Sequence, residues 1–126
     1  MVDLPEVVSK AWDEREGPVV LVTVDAHGIP NAIYATCVKK WSADKLVVAD
    51  NFFCKTRANI RNGSKGAILF ITKQRKSYQV KGSIDYQTDG EVYEDMKTWL
   101  DSAKHPGHAA AVLTVEEVYQ GKERLA

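Results

Sequence analysis

A chain of 126 residues suits one domain with a real buried core. Its 44% hydrophobic and 27% charged content is that of an ordinary globular protein, and no run of roughly 18 apolar residues offers a membrane span. Net charge is zero but unevenly spread: residues 51–83 hold Lys55, Arg57, Arg61, Lys65, Lys73, Arg75, Lys76 and Lys81 with no Asp or Glu, between acidic flanks. That asymmetry suits an anionic partner for the middle segment, and equally a solvated basic face.

The N-terminus, "MVDLPEVVSKAWDERE", is acidic and amphipathic, unlike a signal or transit peptide. Residues 4–16 read as a helix with Leu4, Val8, Ala11 and Trp12 on one stripe. Gly17-Pro18 ends it. "PVVLVTVD" reads as a β-branched strand, "AHGIP" as a turn, and "NAIYATCVKKW" as the second strand of a hairpin. "LVVAD" is a short third strand. The stretch "DNFFCKTRANIRNG", residues 50–63, then gives a loop and a helix of about two turns, stopped at Asn62-Gly63. "KGAILFITK" and "SYQVKGSIDYQT" are the fourth and fifth strands, with Gly82 marking a bulge or a close backbone approach. Thr88 and Glu91 match a capping box for a helix carrying Val92, Met96, Trp99 and Leu100 on one side. "HPGH" breaks that helix, and "AAAVLTVEEVYQ" is the last strand. The expectation is one domain over residues 1–126: mainly β, with a few helices and six antiparallel strands in a small barrel.

The two cysteines, Cys37 and Cys54, form no CxxC or zinc pattern and read as reduced thiols, buried or lining a pocket. With them goes the expectation of a cytoplasmic protein. His27, His105 and His108 read as exposed loop residues, with no metal set among them. No nucleophile elbow, glycine-rich phosphate loop or pair of catalytic carboxylates appears, so catalytic residues stay unknown. The chemistry-bearing candidate is Lys55-Thr56 at a helix start. Thr56 as N-cap with an outward hydroxyl and Lys55 just ahead of it are parts of a phosphate site. The competing reading is a capped basic surface helix. Of Phe52 and Phe53, at least one should pack in the core, and the other can face a flat ligand ring.

The order of "NAIYATCVKK", "LVVAD", "NFFCKTRANI", "AILFI" and "YQVKGSIDYQTDG" resembles the pyridoxamine 5'-phosphate oxidase-like FMN-binding split-barrel family, above all its small stand-alone FMN-binding proteins. The resemblance covers residues 4–120. It implies a split barrel of the FMN-binding type and a homodimer with flavins at the interface. It implies flavin-ring contacts along Tyr34, Ala35, Thr36, Cys37 and Val38 and along Val48, Ala49 and Asp50. A phosphate grip at Lys55 and Thr56, with Asn59 one turn on, and a flavin contact from Gln79 follow likewise. It implies redox chemistry as a flavin reductase-type oxidoreductase or an electron carrier. The chain ends "VYQGKERLA", without the basic C-terminal motif of the vitamin oxidases, so vitamin oxidation is not expected. Two alternatives remain: the same fold binding a deazaflavin or haem, and a nucleic-acid-binding barrel using the basic middle. Phe52, Phe53 and Tyr78 do not form the stacking platform the latter needs, so nucleic acid is not expected as a partner, and without a long apolar run neither is a membrane.

Overall fold

The computed structural model describes residues 1–126, with elements α1 (Glu6–Asp13), β1 (Val19–Val24), β2 (Pro30–Ala35), β3 (Val38–Ser42), β4 (Lys45–Asp50), α2 (Lys55–Arg61), β5 (Lys65–Ile71), β6 (Ser77–Gln87), α3 (Glu91–Trp99), β7 (Ala109–Gln120) and β8 (Glu123–Arg124). The strands form one antiparallel sheet in the order β2-β1-β5-β6-β7-β4-β3, with β8 paired to the end of β7. There are thus seven main strands and a short eighth, where the sequence suggested six. The difference lies in "NAIYATCVKKW". Its first half pairs with β1, from Val19↔Ala35 to Val24↔Pro30. Its second half pairs with β4, from Val38↔Val48 onward. The two edge strands are therefore one run of chain, bent at Thr36-Cys37, and that bend joins the edges of the curled sheet as a split barrel. No Gly or Pro marks the bend, so local chemistry gave no sign of it.

Burial follows from which faces are covered. In β1, Val19, Leu21 and Thr23 point inward while Val20, Val22 and Val24 face out, the alternation of a strand covered on one face. From Leu46 to Asp50, by contrast, β4 is buried on both faces. Leu46 and Val48 join the barrel core, whereas Val47 and Ala49 lie beneath α3 with Ala110 and Val112 of β7. Met96 is the fully buried residue of α3, and Val92, Trp99 and Leu100 pack around the same patch, as their helical spacing suggested. The stripe Leu4, Val8, Ala11 and Trp12 is likewise buried in the main core. Trp12 meets Phe70 edge-on at 5.2 Å, and Phe70 stacks on Tyr78 at 5.4 Å. Tyr78 is therefore a core residue. Each such side chain contributes about 1.5–3 kcal/mol by its burial.

Two local expectations fail and one holds. Thr88 does not cap α3: Gly90, with φ 92°, is the N-cap, and no side chain bonds the helix start. The first helix is shorter than its apolar stripe, eight residues from Glu6 to Asp13. Gly82 sits at a register shift in the β6–β7 ladder, and a Cβ there would lie 1.8 Å from the Thr114 carbonyl oxygen. Only glycine permits that approach. No helix is long and apolar enough to cross a membrane.

Candidate functional site

The Thr36-Cys37 bend opens a cavity of about 280 Å³. One wall is the strand switch itself, Ile33 through Cys37. Facing it are Ala49 from the end of β4 and the turn Asn51, Phe52 and Phe53, with His105 from the loop before β7 closing the side. Tyr34, Ala35, Thr36, Cys37, Ala49 and Phe52, six of the residues proposed from sequence to meet a flavin ring, thus come together around one space. Tyr34 and Phe52 hold large apolar faces to solvent at 78% and 77% exposure, while Phe53 packs into the core. Of the two thiols, Cys37 lines the cavity and Cys54 is exposed just before α2.

Val38 and Val48 pack their side chains into the barrel core and do not line the cavity, and the backbone of Val48 lies in the ladder between β3 and β7. Asp50 departs further from the ring-site expectation. Its side chain is fully buried and turned to a different task. It accepts from Arg57 Nε at 2.7 Å and Nη2 at 3.0 Å, from Tyr86 Oη at 2.5 Å, and from the Phe53 N–H at 2.9 Å. Burial alone would push its carboxyl up, but these donors outweigh it and hold Asp50 below the usual carboxylate range. The bond to Asp50 raises Arg57, and burial next to Asp50 raises Tyr86. The helix with no acid of its own is balanced from the strand before it.

The helix start also differs from expectation. Cys54, not Thr56, is the N-cap, and no side chain caps it. Thr56 is 1% exposed, and its Oγ1 accepts from Asn31 Nδ2 at 2.9 Å. Asn59 is buried as well and donates to Thr23 Oγ1 at 3.0 Å. Both residues therefore dock α2 against β1 and β2, and the hydroxyl of Thr56 is turned inward to that strand. Lys55 remains exposed and forms no ion pair. Elsewhere in the basic middle, Lys65 pairs with Glu116 at 2.6 Å, and Arg75 lies 4.0 Å from Glu16.

Gln79 is not in this cavity. It lines a separate groove on the outer sheet face, with Lys81 and Glu117. Tyr34, Val20, Leu69 and Gln79 stand in one row across four strands. At about 4.8 Å per strand spacing, Gln79 lies about 14 Å from Tyr34. Sequence reasoning missed Arg57, Tyr86, Asn51 and His105. A half-buried His105 corrects the expectation of an exposed loop histidine, while His27 and His108 are exposed as expected.

Residues 8–122 match the family described as pyridoxamine 5'-phosphate oxidase. The Methanocaldococcus jannaschii protein MJ0282 is 31% identical over 127 residues, a match covering 97% of this chain and 83% of that protein. Among solved structures, HupZ of Group A Streptococcus superposes with a TM-score of 0.84 at 25% identity, covering 98% of each chain. An FMN-binding protein from Syntrophomonas wolfei does so with 0.77 at 19% identity, over 91% of this chain and 86% of its own. The same fold, at 18% identity, serves an F420 reductase and HutZ, the haem storage protein from Vibrio cholerae. A split barrel with this strand order and a family match along nearly its whole length settle the assignment: the chain belongs to the pyridoxamine 5'-phosphate oxidase family.

Proposed function

We propose that this protein is an FMN-binding flavoprotein acting in redox chemistry, as a flavin reductase-type enzyme or an electron carrier, and that it works as a homodimer. The observation that carries the reading is the cavity at the strand switch, lined by apolar and aromatic surface, with Lys55, a free cation, two residues along the chain from the lining residue Phe53. These residues fit the group. A flat ring needs apolar faces such as Tyr34 and Phe52. A phosphomonoester of about −1.5 to −2 charges needs an unpaired cation, and Lys55 supplies one. Bound there, FMN would supply the electron chemistry, while the chain orients it and restricts water. The walls hold no carboxylate, which suits a neutral or anionic ligand better than a cationic one. The names of several relatives leave F420 and haem as the rival cofactors.

The homodimer draws support from the outer face of β2-β1-β5. There Ala32, Tyr34, Val20, Val22, Ala67 and Leu69 form a continuous apolar surface with nothing packed over it. Titration of the apo-protein with FMN and with riboflavin tests the cofactor. A charge-assisted hydrogen bond is worth about 1.5–3 kcal/mol, so FMN is expected to bind at least about tenfold tighter. Equal dissociation constants would remove the phosphate site from the proposal.

A further inference from the structure

His105 is the polar side chain of the cavity whose hydrogen bonding the protein leaves incomplete. Its Nδ1 is shut off from solvent and has no partner, while its ring forms part of the cavity wall. The loop that carries it is tightly held. The His105 N–H bonds Asp101 O at 2.8 Å, the Gly107 N–H bonds Asn51 Oδ1 at 3.0 Å, and the His108 N–H bonds Asp50 O at 2.8 Å. Lys97 Nζ adds bonds to the carbonyls of Pro106 and Gly107 at 2.8 and 3.1 Å. Gly107 has φ 58°, and a Cβ there would stand 2.5 Å from Leu100 Cδ1, so the loop is pressed closely onto α3. The imidazole is thus placed by its backbone.

The position of Nδ1 decides the tautomer. A buried N–H without an acceptor is among the rarest of unsatisfied groups, and a buried lone pair is tolerated better. The proton therefore belongs on Nε2, the accessible nitrogen. We infer that His105 donates a hydrogen bond through Nε2–H to an acceptor on a flat heterocycle bound in the cavity. Asn51 points the same way. Its Oδ1 is engaged by Gly107, which leaves the amide N–H groups as its free function. Two donors and no carboxylate on the wall match a ligand edge that carries carbonyl oxygens or unprotonated ring nitrogens. The same geometry argues against His105 as a haem or metal ligand bound through Nε2. A histidine bound through Nε2 carries its proton on Nδ1 and gives it to a carbonyl, carboxylate or water. Here Nδ1 has no such acceptor.

The ligand side of this inference rests on the flavin reading, and the tautomer does not, so two measurements separate them. In the apo-protein, long-range ¹H–¹⁵N correlation should show Nε2 of His105 protonated and Nδ1 unprotonated. A proton on Nδ1 overturns the inference whatever the protein binds. In titrations, His105→Phe keeps a ring and removes the donor, and should weaken FMN and riboflavin alike by about three- to tenfold. His105→Gln, whose amide donates, should stay within about twofold of the unsubstituted protein. Wild-type affinity in His105→Phe defeats the donor role, and so does loss in Phe and Gln alike. Hemin is the control. Its absorption on titration should be the same for the unsubstituted protein and His105→Phe, and a haem band that disappears in the variant makes His105 a metal ligand instead. Failure of the unsubstituted protein to bind either flavin overturns the cofactor proposal and the ligand assignment, with the tautomer still decided by the spectrum.

Discussion

Asp50 and Arg57 can be tested as a unit by a double-mutant cycle. Asp50 is wholly buried and its carboxylate takes four donors, two of them from Arg57. Removing one member of a buried pair costs about 3–5 kcal/mol. Arg57 is 29% exposed, so part of its charge can turn to water, and the low end applies. Asp50→Ala is expected to cost about 3 kcal/mol, as is Arg57→Ala, which strands the carboxylate beside Tyr86 and the Phe53 N–H. The double variant should fall well short of their sum, at about 4 kcal/mol, giving a coupling of about 2 kcal/mol. Against a total of about 5–15 kcal/mol, each single variant still folds. Urea denaturation of all four proteins measures the cycle, and additivity within about 0.5 kcal/mol would refute the pair as a unit. The acid dependence has a definite sign. Asp50 is held below its unfolded value, so its contribution is full above about pH 3.9 and is lost as pH falls through the lower folded value. The gap between the unsubstituted protein and Asp50→Ala should therefore narrow only in strong acid.

Lys55→Ala and Arg75→Ala each remove one charge from the basic middle. Lys55→Ala should lose FMN affinity by about 1.5–3 kcal/mol, and Arg75→Ala, in the Thr72–Ser77 turn beside Glu16, should stay within about 0.5 kcal/mol. Fluorescence quenching reads both, and equal losses would leave α2 as a plain basic helix. For the dimer, Val22→Lys plants a charge in the middle of the apolar outer face. Sedimentation should then shift from a dimer to the 14.0 kDa monomer, and an unsubstituted protein that sediments at 14.0 kDa throughout would refute the dimer.

What could be seen in the sequence was whatever a short window contains. The alternation of β1, the stripe of α1 and the glycine of β6 each state their role within a few residues of themselves. The positions that were misread depend on distant partners. Thr56 looks like a cap because the sequence places a hydroxyl at a helix start. Asn31, 25 residues earlier, takes that hydroxyl inward instead. The family resemblance places Asp50 in the ring site, but its side chain is taken up elsewhere. Its actual partner Arg57 lies in the same quoted stretch, seven residues on, but Tyr86, 36 residues on, completes the set. His105 looked like any loop histidine, because its burial depends on Asn51 drawing the 105–108 loop down onto β4. The strand switch left no glycine or proline, since two small polar residues suffice to let one strand leave β1 and take up β4.

The position of Gln79 bears on how the site is completed. The resemblance assigns Gln79 to the flavin, yet within one subunit it lies on the far side of an apolar row from the cavity. Tyr34 and Phe52 line the cavity yet stay largely exposed, so one subunit leaves much of their aromatic surface uncovered. If the outer face of β2-β1-β5 meets its own copy, the row that separates Gln79 from Tyr34 becomes the contact. Gln79 of the second copy can then approach the mouth of the cavity that its own subunit keeps out of reach. The proposed homodimer would account together for the apolar outer face, the exposed aromatics at the cavity and the distance of Gln79 from it. On this reading the monomer holds the parts of two half-sites, and neither is whole until the sheets are apposed.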